Sequence, residues 1–250
     1  MFKIFFSNIG YARDIDGSLR QHVTGFHRNF YNSLYTQKKV LRQVRDIIEI
    51  GRPDLCCFVE VDLGSYSSAY LNQLDHISDD MYHYYDAANK YGTDSLLSWL
   101  PFHQGKANGF LSCDQIEFER LYMPHGSKRL IYKLYLPNDI VLYFMHFSLK
   151  RKVREKQFRY MNTLIKEDGR PTMILADFNI FTGFDELKPL VEGTDLQILN
   201  DEDRPTFLFY NNEHVLDLCL CSAGLADYAD LDIIDQPYSD HQALMIELDI

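Results

Sequence analysis

Apolar residues come in short blocks along this chain, and most blocks end abruptly on a polar residue. Residues 2–9 are the first such block and predict a buried strand. Between 33 and 50 the spacing changes. Leu34, Val40, Leu41, Val44, Ile47 and Ile48 recur at helical intervals, and Gly51 with Pro53 supplies a stop. Residues 54–61 are short and apolar enough for a strand covered on both faces. A helix over 66–76 and a strand over 81–86 follow, while 90–108 shows no clear period. Residues 109–121, 129–136 and 140–148 read as consecutive strands of a meander, with Pro137-Asn138-Asp139 as the last turn. Val153, Phe158, Met161, Leu164 and Ile165 mark a helix over 152–166, and further strands are expected at 172–177, 214–222 and 243–249.

Helix–strand units mixed with neighbouring antiparallel strands favour an α/β fold of two packed sheets over a purely parallel one. No repeat, low-complexity tract or Pro/Ser-rich linker interrupts the pattern, so residues 1–250 are expected to form a single domain. The segment 10–32 is the exception to the regular pattern. It is polar and rich in Gly, Arg, His and Asn, as binding loops and lids often are.

Composition narrows the function by exclusion. The formal net charge of −11 argues against a highly basic, non-specific nucleic-acid binder, but not against a nuclease that neutralises phosphate through a bound cation. The five cysteines show no zinc-ligand spacing. They read as free buried thiols, which favours a reducing, cytoplasmic compartment. The apolar start Met1–Phe6 is too short for a signal peptide, and no stretch reaches the roughly 20 apolar residues of a membrane span, so no stable membrane insertion is expected.

The polar residues that close the apolar blocks carry the candidate chemistry. Asn8 follows KIFFS, Glu60 follows LCCFV, His146 follows IVLYFM, and Asp177 and Asn179 follow TMILA. Asp217 lies inside HVLDLCL, and Asp240-His241 precede QALMIEL. Singly, each is an ordinary turn, cap or core polar residue. Together at a common strand edge, oxygen-rich carboxylates and amides suit a hard divalent cation, and histidines beside them suit proton transfer at neutral pH.

These motifs, in this order, resemble the endonuclease/exonuclease/phosphatase superfamily, which includes pancreatic-type deoxyribonucleases, abasic-site endonucleases and neutral sphingomyelinases. ILADFN (174–179) and SDH (239–241) are the most specific pieces, joined by SNI (7–9), FVE (58–60), MHF (145–147), and PTF with VLDLCLCS (205–207, 215–222). Ala176, Val59 and Ser7 depart from the usual Gly, Gln and Trp without removing a catalytic side chain. The resemblance implies a four-layer sandwich of two mixed β-sheets with helices on the outer faces, and Mg²⁺- or Mn²⁺-dependent phosphoester hydrolysis.

It further implies that Glu60 binds the metal, with Asn8 and Asp240 in or next to its shell. Asp177 and Asn179 would orient water and a phosphate oxygen. His241, held by Asp217, would be the general base or a phosphate contact, and His146 would donate to the phosphate. For substrate contact, the basic residues Lys150, Arg151, Lys152 and Arg154 after His146 stand out, as do Arg13, Arg20, His22, His27 and Arg28 in the long loop. Tyr11, Phe26, Phe30 and Tyr31 in that loop either stack on substrate or pack on the protein. The expected partner is a phosphoester, with nucleic acid or a nucleotide preferred over a lipid headgroup or small metabolite and over a non-catalytic binding role. No protein partner can be read.

Overall fold

The computed structural model describes every residue except Asn211, and every side chain except those of Asn211 and His22. Fourteen strands are described. In chain order they are β1 (Phe2–Asn8), β2 (Leu55–Asp62), β3 (Tyr84–Asn89), β4 (Lys106–Ser112), β5 (Glu117–Tyr122), β6 (Leu130–Leu136) and β7 (Ile140–His146). They continue as β8 (Thr172–Asp177), β9 (Leu196–Ile198), β10 (Phe207–Phe209), β11 (Asn212–His214), β12 (Asp217–Ser222), β13 (Ala229–Ile234) and β14 (Ala243–Leu248).

Twelve of these build two six-stranded sheets, ordered β13-β14-β1-β2-β4-β3 and β5-β6-β7-β8-β12-β9. Each sheet is mixed through one parallel pair, β1 with β2 and β7 with β8. β10 and β11 form a separate hairpin.

Alternation along each strand decides what fills the layers. Ile4, Phe6, Cys57, Val59, Leu244 and Ile246 of the first sheet meet Tyr132, Leu142, Phe144, Met173, Leu175 and Cys219 of the second in one shared core. The opposite faces are covered by helices. The first helix, α1 (Leu19–Gly25), is short. α2 (Leu34–Gly51) sets Val40, Leu41, Val44 and Ile48 over Phe5, Cys56 and Phe58. After the small α3 (Gln73–Ile77), α4 (Arg151–Asp168) sets Phe158, Met161 and Ile165 over Tyr143, Ile174 and Ala176. The result is the expected α/β sandwich of two mixed sheets with helices outside. Among the described residues, no helix is long and apolar enough to cross a membrane.

Several expected boundaries change. Residues 109–121 belong to two strands in different sheets. The chain leaves β4 at Ser112, whose hydroxyl donates to the Asp114 carbonyl (2.6 Å), and enters the second sheet as β5. Residues 214–222 likewise divide into β11 and β12. There the Leu216 and Asp217 amides donate to Thr206 Oγ1 (both 2.9 Å) as the chain enters the sheet. The helix expected over 66–76 is a 3-10 turn at Tyr66–Ser68 followed by α3. The long polar segment after β1 contains α1 and a 3-10 turn, Phe26–Asn29.

Candidate active site

Strand direction explains why scattered motifs meet. β1, β2, β7 and β8 finish at the edge of the sandwich where β12 begins and where the chain approaches β14. Asn8 continues the inward series Ile4, Phe6. His146 continues Leu142, Phe144, and Asp177 continues Met173, Leu175. Asp217 precedes the inward Cys219 and Cys221. Register then sets His146 beside Asp177 and Asp177 beside Asp217 on three adjacent strands.

Glu60 arrives differently. Val59 packs between the sheets, whereas Val61, two residues on, packs under α2. In a regular strand both would share a face. A β-bulge between Phe58 and Val61 breaks the phase, and Glu60 adopts φ 57°. The extra residue turns its carboxylate toward the second sheet. A left-handed glutamate costs roughly 1 kcal/mol or more and persists where its surroundings determine it.

Those surroundings begin at Asp62, which is fully buried and accepts from Ser65 N (2.7 Å), Ser65 Oγ (2.6 Å), Ser68 Oγ (2.9 Å) and Lys106 Nζ (2.8 Å). Burial opposes its charge, but Lys106 and Ser65 outweigh burial and hold the carboxyl below its ordinary range. Lys106→Met leaves this carboxylate without its cation, with an expected loss of about 3–5 kcal/mol of stability. Urea denaturation is the measurement, and a change below about 1 kcal/mol would show the pair to be dispensable.

At the centre, His241 Nδ1 lies 2.6 Å from Asp217 Oδ2. Phe207 covers one side of the imidazole, with ring centroids 4.7 Å apart. Ser239 fixes the backbone of the same turn. Its hydroxyl donates to the Asn8 carbonyl (2.9 Å) and accepts from the His241 amide (3.2 Å), which ties the SDH segment to the end of β1. Asp177 Oδ2 takes Asn8 Nδ2 (3.1 Å) and His146 Nε2 (3.0 Å), and its Oδ1 takes the Asn179 amide (3.1 Å). Asn179, itself at φ 54°, donates from Nδ2 to the Phe147 carbonyl (3.0 Å), which fixes its side chain across the end of β7.

Electrostatics separates the roles. Burial pushes the His241 imidazole down, but Asp217, with Asp177 and Asp240, lifts it to about 10. Burial raises the Asp217 carboxyl as His241 resists, so the pair retains a proton along its shared bond. Burial works against the Asp177 charge, but His146 and His241 bring it down to about 2. His146 is pushed down to about 4 by burial and by Lys128. Glu60 is held well below the carboxylate range because Lys90, Lys128 and His146 outweigh its burial.

Asn8, Glu60, His146, Asp177, Asn179, Asp240 and His241 line one cavity of about 400 Å³, with Asp217 buried behind His241. Four other candidates do not line this cavity, though Arg13 is near enough to help keep Glu60 ionised. Arg28 donates to the Arg13 and Asp14 carbonyls (3.0 and 2.8 Å), bracing its own loop. Arg13 rests over the Tyr11 ring at 4.7 Å. Lys150 is exposed at the start of α4, and Arg151 is exposed beside Glu155 (3.3 Å). Arg154 is buried against Glu186. The side chain of His22 lies outside the described residues.

Two cations not singled out from the sequence enter the site. Lys90 Nζ is 3.3 Å from Glu60 Oε1 and also meets the Tyr11 hydroxyl, and Lys128 Nζ lies against His146 Nε2. An aromatic wall of Phe181, Phe207, Phe209 and His214 also lines the cavity. Lys128 adjoins a strand just as the polar residues at strand ends do, a signal that was present. Lys90 borders the stretch without a period.

Glu60, Asn8 and Asp240 place on the wall of this cavity the oxygen donor type a hard divalent cation takes, with Lys90 3.3 Å from Glu60 Oε1 and the Gly10 amide donating to Asn8 Oδ1 (3.1 Å). The alternative cluster of Asp177, Asp217 and His241 fits less well, since its closest pair already shares a 2.6 Å hydrogen bond.

No protein-family model and no curated protein sequence matches the chain. Solved structures do. Truncated Caenorhabditis elegans TDP2 aligns over 99% of this chain and 96% of its own, with 13% identity and a TM-score of 0.66. A Bacteroides thetaiotaomicron mannosyl-6-phosphatase aligns over 100% of both chains with 14% identity and a TM-score of 0.66. An endonuclease/exonuclease/phosphatase from Beutenbergia cavernae aligns over 99% of this chain and 71% of its own, with 15% identity and a TM-score of 0.69. By fold, this chain is an α/β sandwich of the endonuclease/exonuclease/phosphatase type.

Proposed function

We propose that the chain is a divalent-metal-dependent phosphoester hydrolase acting on a phosphodiester of nucleic acid or a nucleotide. The observation that carries this reading is the meeting of ionised Asp177 and Glu60 with the proton-holding Asp217–His241 pair around a single cavity. Phosphoryl hydrolysis needs positioning and charge neutralisation more than covalent chemistry.

Glu60, with Asn8 and Asp240 beside it, would hold Mg²⁺ or Mn²⁺, which when bound supplies Lewis-acid neutralisation of phosphate charge. Asp177, ionised and flanked by Asn179, orients the attacking water. His241 works as a cation on a phosphate oxygen, since Asp217 keeps its proton in place. His146, expected from the sequence to donate to the phosphate, is largely neutral above about pH 4 and has Nε2 3.0 Å from Asp177, so its one N–H serves to orient that carboxylate. The aromatic wall offers Phe181 and Phe209 for base stacking.

A second reading, a phosphate on a small metabolite or headgroup, is favoured by the placement of Arg28, Lys150 and Arg151 outside the cavity. The test is hydrolysis of bis(p-nitrophenyl) phosphate, p-nitrophenyl phosphate, and single- and double-stranded oligonucleotides with Mg²⁺, Mn²⁺ or EDTA. Metal-dependent cleavage with diesters preferred is the expected result. Preference for the monoester would move the assignment to the second reading. Absence of hydrolysis on all of these would reject the nucleic-acid reading and leave either an enzyme narrowly specific for a small-molecule or lipid phosphoester or a binding module.

A further inference from the structure

Three largely buried lysines surround the candidate site, and two hold a carboxylate within hydrogen-bond distance. Lys106 Nζ is 2.8 Å from Asp62, and Lys90 Nζ is 3.3 Å from Glu60. Lys128 differs. Its side chain is 16% exposed, and Glu60 Oε1, at 3.9 Å, pairs with it only as a distant charge, beyond hydrogen-bond distance. Among the described residues, its ammonium meets His146 Nε2 instead.

That contact conflicts with another. His146 Nε2 also lies 3.0 Å from Asp177 Oδ2, an ionised acceptor. One ring nitrogen either donates a proton or accepts one. If Nε2 carries the proton it satisfies Asp177, and the Lys128 ammonium faces a donor. If Nε2 has its lone pair free it accepts from Lys128, and Asp177 loses a donor. Neither tautomer serves both neighbours. The other nitrogen, Nδ1, makes no hydrogen bond and has only Glu60 Oε1 at 3.7 Å, so the ring gains no more than a long contact on its far side. An unpaired buried polar group is costly, and a buried cation more so.

The backbone keeps Lys128 where this conflict arises. Its carbonyl accepts from Gln157 Nε2 (2.8 Å) on α4, and the next two amides, Arg129 and Leu130, donate to the Lys90 carbonyl (2.8 and 3.2 Å). The Gln157 Oε1 accepts from the Ser148 amide (2.9 Å), just past β7. A mostly buried cation is thus anchored at both flanks and aimed into the cavity between Glu60 and Asp177.

We infer that Lys128 is a built-in anchor for a phosphate group, its ammonium taking a non-bridging oxygen and releasing His146 Nε2 to donate to Asp177. The inference deepens the phosphoester reading and rests on it for the identity of the anion. An oxyanion inside the cavity supplies the acceptor that the protein lacks and resolves both halves of the conflict. A lysine suits the role as a point charge that needs no bidentate geometry.

The experiment is binding of inorganic phosphate to the full chain in EDTA, by calorimetry and by ¹⁵N shifts of the histidine ring nitrogens. Wild type is expected to bind phosphate, with the His146 Nε2 resonance moving toward the protonated form. Lys128→Met should weaken binding about 10- to 100-fold, the worth of one charge-assisted hydrogen bond, and Lys128→Arg should restore most of it. No phosphate binding by wild type, or equal binding by Lys128→Met, overturns the inference. Should Lys128→Met fail to fold, the His146 shift in wild type decides alone, and an unmoved resonance at saturating phosphate overturns it. Hydrolysis separates the two claims. Metal-dependent cleavage with unaltered phosphate affinity in Lys128→Met defeats the anchor and leaves the hydrolase, whereas Lys128-dependent phosphate binding without any hydrolysis does the reverse.

Discussion

His241→Ala is expected to lower kcat on the preferred phosphoester by about 10²- to 10⁴-fold, the usual worth of a positioned proton-bearing group. The loss should fall on kcat more than on KM if the imidazolium meets charge that grows in the transition state. A drop in kcat/KM below about tenfold would remove His241 from the chemistry. Asp217→Asn provides the companion test, because it leaves the imidazole present but takes away its carboxylate. Without Asp217 only Asp177 and Asp240 oppose the burial that pushes His241 down, so its value should fall from about 10 toward the ordinary imidazole range, readable by NMR titration. An imidazole still charged well above that range in Asp217→Asn would show that Asp217 is not the source of the shift.

The same pair gives stability a pH dependence. The folded value of His241, about 10, lies above an unfolded value of about 6.5. Its stabilising contribution is therefore fully present below the unfolded value and is lost as pH rises through about 10. In Asp217→Asn this alkaline loss should shrink, since only Asp177 and Asp240 then help the folded imidazole hold its proton.

Much of the site was legible because side-chain parity is carried by the sequence. Asn8, His146, Asp177 and Asp217 each continue an alternating apolar series, so the series that builds the shared core also aims them between the sheets. Their convergence depends on strand order, which no local pattern contains. Asp217 and His241 are 24 residues apart yet share a 2.6 Å hydrogen bond. Glu60 was found for its position at the end of an apolar block, but its orientation depends on a bulge, and a backbone irregularity leaves no mark in the hydrophobic pattern.

Charge runs were a poorer guide for the same kind of reason. Lys150 and Arg151 follow His146 closely in sequence, yet the start of α4 carries them onto an exposed face. Lys128, remote from every motif, comes in through a loop braced by Gln157. The strand boundary at 214–217 was hidden because Val215 and Leu216 keep the run apolar between hairpin and sheet, whereas the polar stretch 112–117, SCDQIE, does mark the change of sheet.

Glu60→Gln should remove most of the metal response, with divalent-cation affinity by calorimetry weakened more than tenfold, on the order of 1.4 kcal/mol or greater, and kcat/KM in Mg²⁺ reduced about 10²- to 10³-fold. Gln keeps the size and one carbonyl acceptor but removes the charge, and charge is what a hard cation requires of an oxygen ligand. The variant also leaves Lys90 without its carboxylate at 3.3 Å, so a stability measurement must accompany the affinity. Burial already brings Lys90 down to about 7, despite the attraction of Glu60. Without that attraction the ammonium should lose its proton more readily, which limits the damage to the fold at alkaline pH and makes it greatest at acidic pH. Loss of metal affinity with the fold intact at alkaline pH would identify Glu60 as a ligand held in place by its bulge. Unchanged affinity would place the cation on other oxygens of the cavity and leave Glu60 as the counter-ion of its two lysines.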